Sequence, residues 1–169
     1  GNGQFNVPVA IAMDRNDFIY VLDAGNGRVQ KFIHGSSANP NLLFVSKFGS
    51  YGNGNGQFRS PIDIAIDSSN NLYVADSDNH RVQKFDSNGR FLLKFGSRGS
   101  ADGQFNVPVR VAIDNSNNVY IIDYSTNRIQ KFDSNGRFLR KWTVDETPAQ
   151  IYADDKIYVT VNNIIKVFS

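Results

Sequence analysis

Three carboxylate and guanidinium pairs recur at one spacing: Asp23 with Arg28, Asp76 with Arg81, and Asp123 with Arg128. Side by side, such groups could form a ring of acid and base sites. They could equally be mechanical, because a guanidinium matches a carboxylate in bidentate geometry and so fastens a hairpin. Recurrence in every full unit favours the fastener, since a single active site needs no copies of itself. All six residues are therefore predicted to be structural pairs. Asp67-Ser68-Ser69-Asn70-Asn71 and Asp114-Asn115-Ser116-Asn117-Asn118 superficially suggest calcium loops. They lack the glycine and the distant bidentate Glu of an EF-hand, and Asp or Asn in a turn needs only its own backbone hydrogen bonds. His34 and His80 are the only histidines and fall in different units, on loops expected at opposite faces. No His-rich metal cage or Ser, His, Asp grouping can be assembled from them. The expectation is of no catalytic residue, no metal, no cofactor and no enzymatic activity.

The elements that hold the pairs are repeated too. Gly3-Gln4-Phe5, Pro8, Asp14, Tyr20, Asp23 and Arg28-Val29-Gln30-Lys31-Phe32 return from Gly56 and again from Gly103. The step is close to that of a propeller blade, with one insertion in the first copy. In the second unit, Ile62–Ile66, Leu72–Ala75, Arg81–Phe85 and Arg90–Phe95 read as strands separated by Asp, Asn, Ser and Gly turns. Asn88-Gly89 is a hairpin signal, expected as a type I′ turn because both residues tolerate positive φ. Each unit is thus a four-stranded antiparallel meander, a to d from the innermost strand outward. The third unit matches it at Val109–Ile113, Val119–Ile122, Arg128–Phe132 and Arg137–Trp142. The first carries a lengthened exposed loop at His34–Asn41. A fourth has three strands, Ala149–Ala153, Ile157–Val161 and Ile164–Phe168, and no fourth strand. Small sheets apolar on both faces must be covered by neighbours, and radial stacking does this. The predicted fold is all-β, a β-propeller segment of about four blades with the last incomplete. One domain is expected over residues 1–169, with blades near 3–50, 56–97, 103–143 and 147–169.

Composition narrows the partners. Among 169 residues, 40% are hydrophobic, 18 are basic against 16 acidic, and none is cysteine. The small net positive charge is a weak electrostatic footprint for a nucleic acid partner. Disulfides and thiolate metal sites are excluded, and compartment is left open. No run approaches the roughly 18 apolar residues of a spanning helix, so no membrane insertion is expected in this segment. Gly1 in place of an initiating Met reads as a piece cut from a longer chain.

Pro61 before Ile64-Ala65-Ile66-Asp67, then Leu72-Tyr73-Val74-Ala75-Asp76, Asn79-His80-Arg81-Val82-Gln83-Lys84-Phe85 and Phe95-Gly96 together resemble the NHL repeat. The first unit has Asn26-Gly27-Arg28 and the third Thr126-Asn127-Arg128, so the histidine is not shared. Val161-Asn162-Asn163-Ile164 in the fourth unit lacks both Asp and Arg. The resemblance implies a propeller of about six blades in the complete domain. It also implies a role as an interaction platform. The preferred expectation is a fragment or open arc whose end blades expose apolar faces suited to self-association, and closure into a four-bladed ring is the alternative.

Function is sought where the repeat varies. Two residues beyond each Pro stand Ala10, Asp63, Arg110 and Gln150, near the mouth of a central channel if strand a is innermost. Asp63 and Arg110 are expected as neighbours, either paired across the axis or lining a polar pocket. On the same face, that of the b–c and d–a loops, Tyr51, Asn53, Arg59, His80, Arg98 and Tyr124 differ between units, and exposed aromatic and Arg groups are frequent anchors. Asp63, Arg110, Tyr51, Arg59, His80, Arg98 and Tyr124 are the candidate partner-binding residues. The expected role is a non-catalytic scaffold for a protein or peptide. Single-stranded RNA binding through Arg59, Arg98 and Arg110 is the first alternative. The second is part of a lyase-like or lactonase-like propeller enzyme whose catalytic residues lie elsewhere.

Overall fold

Short runs of alternating residues, closed by Asp, Asn and Gly turns, form strands throughout the computed structural model, which describes residues 1–37 and 40–169. Ala38 and Asn39, within the expected long loop, lie outside the described residues. The first sheet is β1 (Pro8–Met13), β2 (Ile19–Asp23), β3 (Arg28–His34) and β4 (Leu42–Phe48), paired in that order. A short parallel pair, β5 (Ser50–Tyr51) with β6 (Gln57–Phe58), braces the connection onward. The second sheet is β7 (Pro61–Ile66), β8 (Leu72–Asp76), β9 (Arg81–Phe85) and β10 (Phe91–Phe95). The third is β11 (Pro108–Ile113), β12 (Val119–Asp123), β13 (Arg128–Phe132) and β14 (Phe138–Thr143). The fourth has only β15 (Pro148–Ala153), β16 (Ile157–Val161) and β17 (Ile164–Phe168). This is the predicted all-β propeller architecture, about four blades with the last lacking its outer strand.

The core lies between the sheets. Tyr20, Leu22 and Val29 of the first meet Ile64, Leu72, Val74 and Phe85 of the second, together with Phe58 on β6. Tyr73, Val82 and Phe95 meet Phe105, Val111, Val119, Ile121 and Phe132 at the next junction. Ile122 and Ile129 meet Ala153, Ile157, Val159 and Val161 at the last. Each fully buried Phe contributes about 1.5–3 kcal/mol, so no sheet is stable without a neighbour. The sheets pack in chain order, β1 on β7, β7 on β11 and β11 on β15. At the two ends apolar side chains stay exposed, Ile11 and Met13 on β1 and Ile165 and Val167 on β17. The Phe-Gly step after β10 has a steric cause: Gly96 has φ +93°, and a Cβ there would lie 2.5 Å from the Phe105 ring.

Polar latches bind neighbours on the face of the a–b and c–d turns. The Tyr20 hydroxyl lies 2.9 Å from Asp14 Oδ2 and 3.1 Å from the Ser87 carbonyl, to which Lys31 Nζ also donates at 2.9 Å. One sheet on, Tyr73 and Lys84 reach the Ser134 carbonyl at 3.2 and 3.1 Å. Burial first, then the Asp14 hydrogen bond, hold the Tyr20 hydroxyl well above its ordinary pKa, so it stays a donor.

The c–d turns differ from the type I′ expectation. Gly89 and Gly136 have positive φ, whereas Asn88 and Asn135 do not. Asp86 Oδ1 accepts the amides of Asn88 and Arg90, each at 2.9 Å. That side-chain turn holds the loop, leaving the left-handed step to glycine alone.

Candidate functional site

A two-residue turn at Asn162-Asn163 joins β16 to β17 in the fourth sheet, whereas in the first three sheets the b–c connection is one 3₁₀ turn, Ala24–Asn26, Ser77–Asn79 or Tyr124–Thr126, ended by a residue in left-handed conformation, Gly27, His80 or Asn127. The Asp–Arg pairs close these turns. Arg28 Nε lies 2.8 Å from Asp23 Oδ2, Arg81 Nε 2.9 Å from Asp76 Oδ2, and Arg128 Nη2 3.0 Å from Asp123 Oδ2, with all three carboxylates buried. The guanidiniums also reach into the preceding loop, where Arg81 donates to the carbonyls of Asn53, Gly54 and Gln57 at 2.8–2.9 Å. Asp76 in turn accepts the Arg59 amide and Asn79 Nδ2. Against the raising effect of burial, bonds from Asn26, the Asn6 amide and Arg28 hold Asp23 below the ordinary carboxylate range.

A second latch was missed from sequence. Gln30, Gln83 and Gln130 each donate to the carbonyl of Gln4, Gln57 or Gln104 and accept the amide of Gly3, Gly56 or Gly103, all at 2.7–2.9 Å. The recurrence of both glutamines in each of the three full units is the available signal. Asp14, Asp67 and Asp114 are likewise engaged. Asp114 accepts the amides of Ser116 and Asn118 and the Tyr120 hydroxyl.

The variable residues are placed unevenly. Tyr51, on β5, and Arg59 are both exposed and border one cavity of about 290 Å³ with Gly52 and Asn53. Arg110 and Tyr124 border another of about 230 Å³ with Ile62, Val109, Pro148 and Ala149. Arg98 is exposed on the loop after β10. The His80 ring is tied to the loop before β11 through a 2.7 Å bond between Nδ1 and the Asn106 carbonyl.

Asp63 and Arg110 do lie near one another, but not as the ion pair considered from sequence. Asp63 Oδ2 accepts the Val111 amide at 3.0 Å and Oδ1 its neighbour's amide, that of Ile64. Arg110 turns onward, donating from Nε to Gln150 Oε1 at 3.2 Å and from Nη1 to the Val109 carbonyl at 2.9 Å. Burial raises the Asp63 pKa despite those two amides and the nearby Arg110 charge. Strand β11 thus satisfies Asp63 with backbone, freeing the guanidinium to bridge toward β15.

The NHL repeat model matches residues 5–32, 58–85 and 105–132, the stretches that run from the Phe of each latched loop to the Phe of strand c. The chain belongs to the NHL-repeat family. Over 49 residues this NHL chain is 43% identical to Protein brain tumor of Drosophila melanogaster and 41% identical to the B-box type zinc finger protein ncl-1 of Caenorhabditis elegans. Those matches cover 29% of the chain and only 5% and 6% of the relatives. In fold, it resembles virginiamycin B lyase from Staphylococcus aureus at TM-score 0.69 and 17% identity, over 95% of this chain and 55% of that one. Kuenenia stuttgartiensis hydrazine synthase gives 0.70 at 14% identity, over 99% and 47%. The NHL chain therefore spans about half the length of these solved structures, and the likeness is one of propeller fold.

Proposed function

We propose that the chain is a non-catalytic binding module that engages a protein or peptide through the face of its b–c and d–a loops. The observation carrying this reading is the grouping of Tyr51 with Arg59, and of Arg110 with Tyr124, at two cavities on that face. Tyr and Arg dominate interface anchors because each combines a large contact area with directed hydrogen bonding. The repeated acids and bases on the same face are consumed by latching, which leaves the non-repeated groups to choose the partner. Asp63 and Arg110 form the inner margin of this surface, His80 fixes its loops, and Arg98 extends it.

Panning a displayed peptide library on the purified chain tests the reading. Enriched peptides should bind Tyr51→Ala and Tyr124→Ala about tenfold or more weakly, the scale of an anchor residue. Peptides indifferent to both substitutions, or no enrichment, would refute it. Retention of single-stranded RNA in a low-salt filter assay, lost with Arg59→Ala and Arg98→Ala, would favour the RNA reading instead.

A further inference from the structure

Asn-Gly steps punctuate the chain at Asn2-Gly3, Asn26-Gly27, Asn53-Gly54, Asn55-Gly56, Asn88-Gly89 and Asn135-Gly136. Such a step can close on itself: the glycine nitrogen, stripped of its proton, attacks Cγ of the asparagine, and no glycine side chain hinders the approach. The fold ties up all of these glycine amides, but not equally. In the turns, Gly27 donates to the Ala24 carbonyl, Gly89 to that of Asp86 and Gly136 to that of Asp133, backbone to backbone at 2.9–3.0 Å. Gly3 and Gly56 donate to Gln30 Oε1 and Gln83 Oε1, each at 2.9 Å, and both glutamines are fully buried. Gly54 alone rests on a side chain that solvent reaches. Its amide donates at 3.0 Å to Oε1 of the half-buried Gln57, whose Nε2 has only Ser50 Oγ, at 3.3 Å, among the described residues. The asparagine of that step is open as well. Asn53 is exposed and its carboxamide makes no hydrogen bond among the described residues, whereas Asn26 Nδ2 is held by Asp23 Oδ2 at 2.9 Å. The third unit has Ser100-Ala101 where the second has Asn53-Gly54, with the Ala101 amide on Gln104 Oε1 at 3.1 Å, so the reactive pair is a departure from the repeat.

We propose that Asn53 is a site of spontaneous modification, converted to aspartate and isoaspartate ahead of the other Asn-Gly asparagines. The Gly54 nitrogen, deprotonated by solvent base, forms a bond to Asn53 Cγ as the Cγ–Nδ2 bond breaks and ammonia leaves. Water then opens the cyclic imide. Attack at Cγ gives aspartate, and attack at the α-carbonyl gives isoaspartate, with an extra methylene in the main chain. Either product places a carboxylate at the cavity that Asn53 shares with Tyr51 and Arg59. Isoaspartate also displaces the carbonyls of Asn53 and Gly54, which Arg81 holds at 2.8 and 2.9 Å. Modification thus alters one cavity of the loop face and its latch together. The consequence for a partner rests on the peptide-binding function proposed for that face, and the conversion itself does not.

The test holds the 169-residue chain in mildly alkaline buffer, folded in one arm and unfolded in urea in the other, and follows each asparagine by peptide mapping with mass spectrometry. In the folded arm Asn53 should convert first, and in urea the Asn-Gly steps should convert at similar rates, because the order is imposed by the fold. Gln57→Ala frees the Gly54 amide and leaves the Gln57 carbonyl to Arg81 and Gln83. It should speed conversion at Asn53 about fivefold, the factor carried by a hydrogen bond of about 1 kcal/mol, with the other steps unchanged as controls. Gly54→Ala should slow conversion at Asn53 in both arms. Another Asn-Gly step converting ahead of Asn53 in the folded chain, Asn53 leading equally in urea, or an unchanged rate in Gln57→Ala overturns the proposal. Should Gln57→Ala lower Tm, the order of conversion in the parent chain still decides. Neither arm contains a partner, so failure to find a bound peptide leaves this result standing.

Discussion

Replacing Arg81 by Met tests whether the repeated pairs are fasteners. The side chain is 6% exposed, with its Nε on Asp76 and its other nitrogens on three carbonyls of the loop between the first and second sheets. Met keeps the stem and removes all four contacts. Removing one partner of a buried pair costs 3–5 kcal/mol, and because Asp76 retains donors from Arg59, Asn79 and Gln83, the lower end, about 3 kcal/mol, applies. For a chain of this length that is a fall in Tm of about 6–12 °C. Arg28→Met should cost about half as much, since its pair is more exposed and its loop contacts lie at the surface. Asp76→Asn combined with Arg81→Met should lose less than the sum of the single changes, because both act on one network. Thermal unfolding followed by far-ultraviolet circular dichroism reads all five proteins, the parent, Arg81→Met, Arg28→Met, Asp76→Asn and the double variant. An Arg81→Met chain melting within about 2 °C of the parent, less than 1 kcal/mol of effect, would refute the fastening role. So would additivity in the double variant.

Four further outcomes follow from the same geometry. Asp23 and Asp114 have lowered pKa values in the folded chain, so their stabilisation is complete above the ordinary carboxylate value and is lost as pH falls through the lowered ones; Asp23→Asn should flatten that acid limb in pH-dependent melting. Asp63 has the opposite sign: its raised pKa means that stability falls as pH climbs from the ordinary carboxylate value through the raised one. Asp63→Asn, whose amide oxygen can still accept from Val111, should therefore raise Tm at pH 7 and leave it unchanged at acid pH. Tyr73→Phe removes a hydroxyl shared by Asp67 and a neighbouring sheet and should cost about 1 kcal/mol in urea unfolding. If the exposed end faces drive self-association, sedimentation should be concentration-dependent, and Ile11→Lys with Ile165→Lys should abolish the dependence.

What repeats was legible in the sequence. The strands, their turns and the Asp–Arg pairs appear three times over, so each copy checks the others, and the structure realises them with ends shifted by a residue or so. The glutamine latch was equally repeated but hidden by residue type, because a buried Gln looks like a surface one until its backbone partners are known. Asp63 and Arg110 show the opposite limit. Their neighbourhood follows from register, but their bonding depends on which backbone amide points inward, and Val111 presents one where no side-chain pattern announces it. The c–d turns were misassigned for a related reason: Asn-Gly permits type I′ geometry, and only the preceding Asp carboxylate selects against it.

That contrast divides the b–c face into two kinds of polar residue. Asp76, Arg81 and their equivalents are bonded to one another and to backbone carbonyls and amides of the chain, and the three carboxylates are buried. Tyr51, Arg59, Arg98 and Tyr124 have exposed side chains, and only Arg59's backbone amide is part of a latch. Substitution in the first group should therefore change stability and, through it, binding in proportion to the fraction unfolded. Substitution in the second should change binding at constant Tm. If Tyr124→Ala lowered Tm as much as Arg81→Met, the two groups would not be separable, and the loop face would have to be regarded as framework throughout.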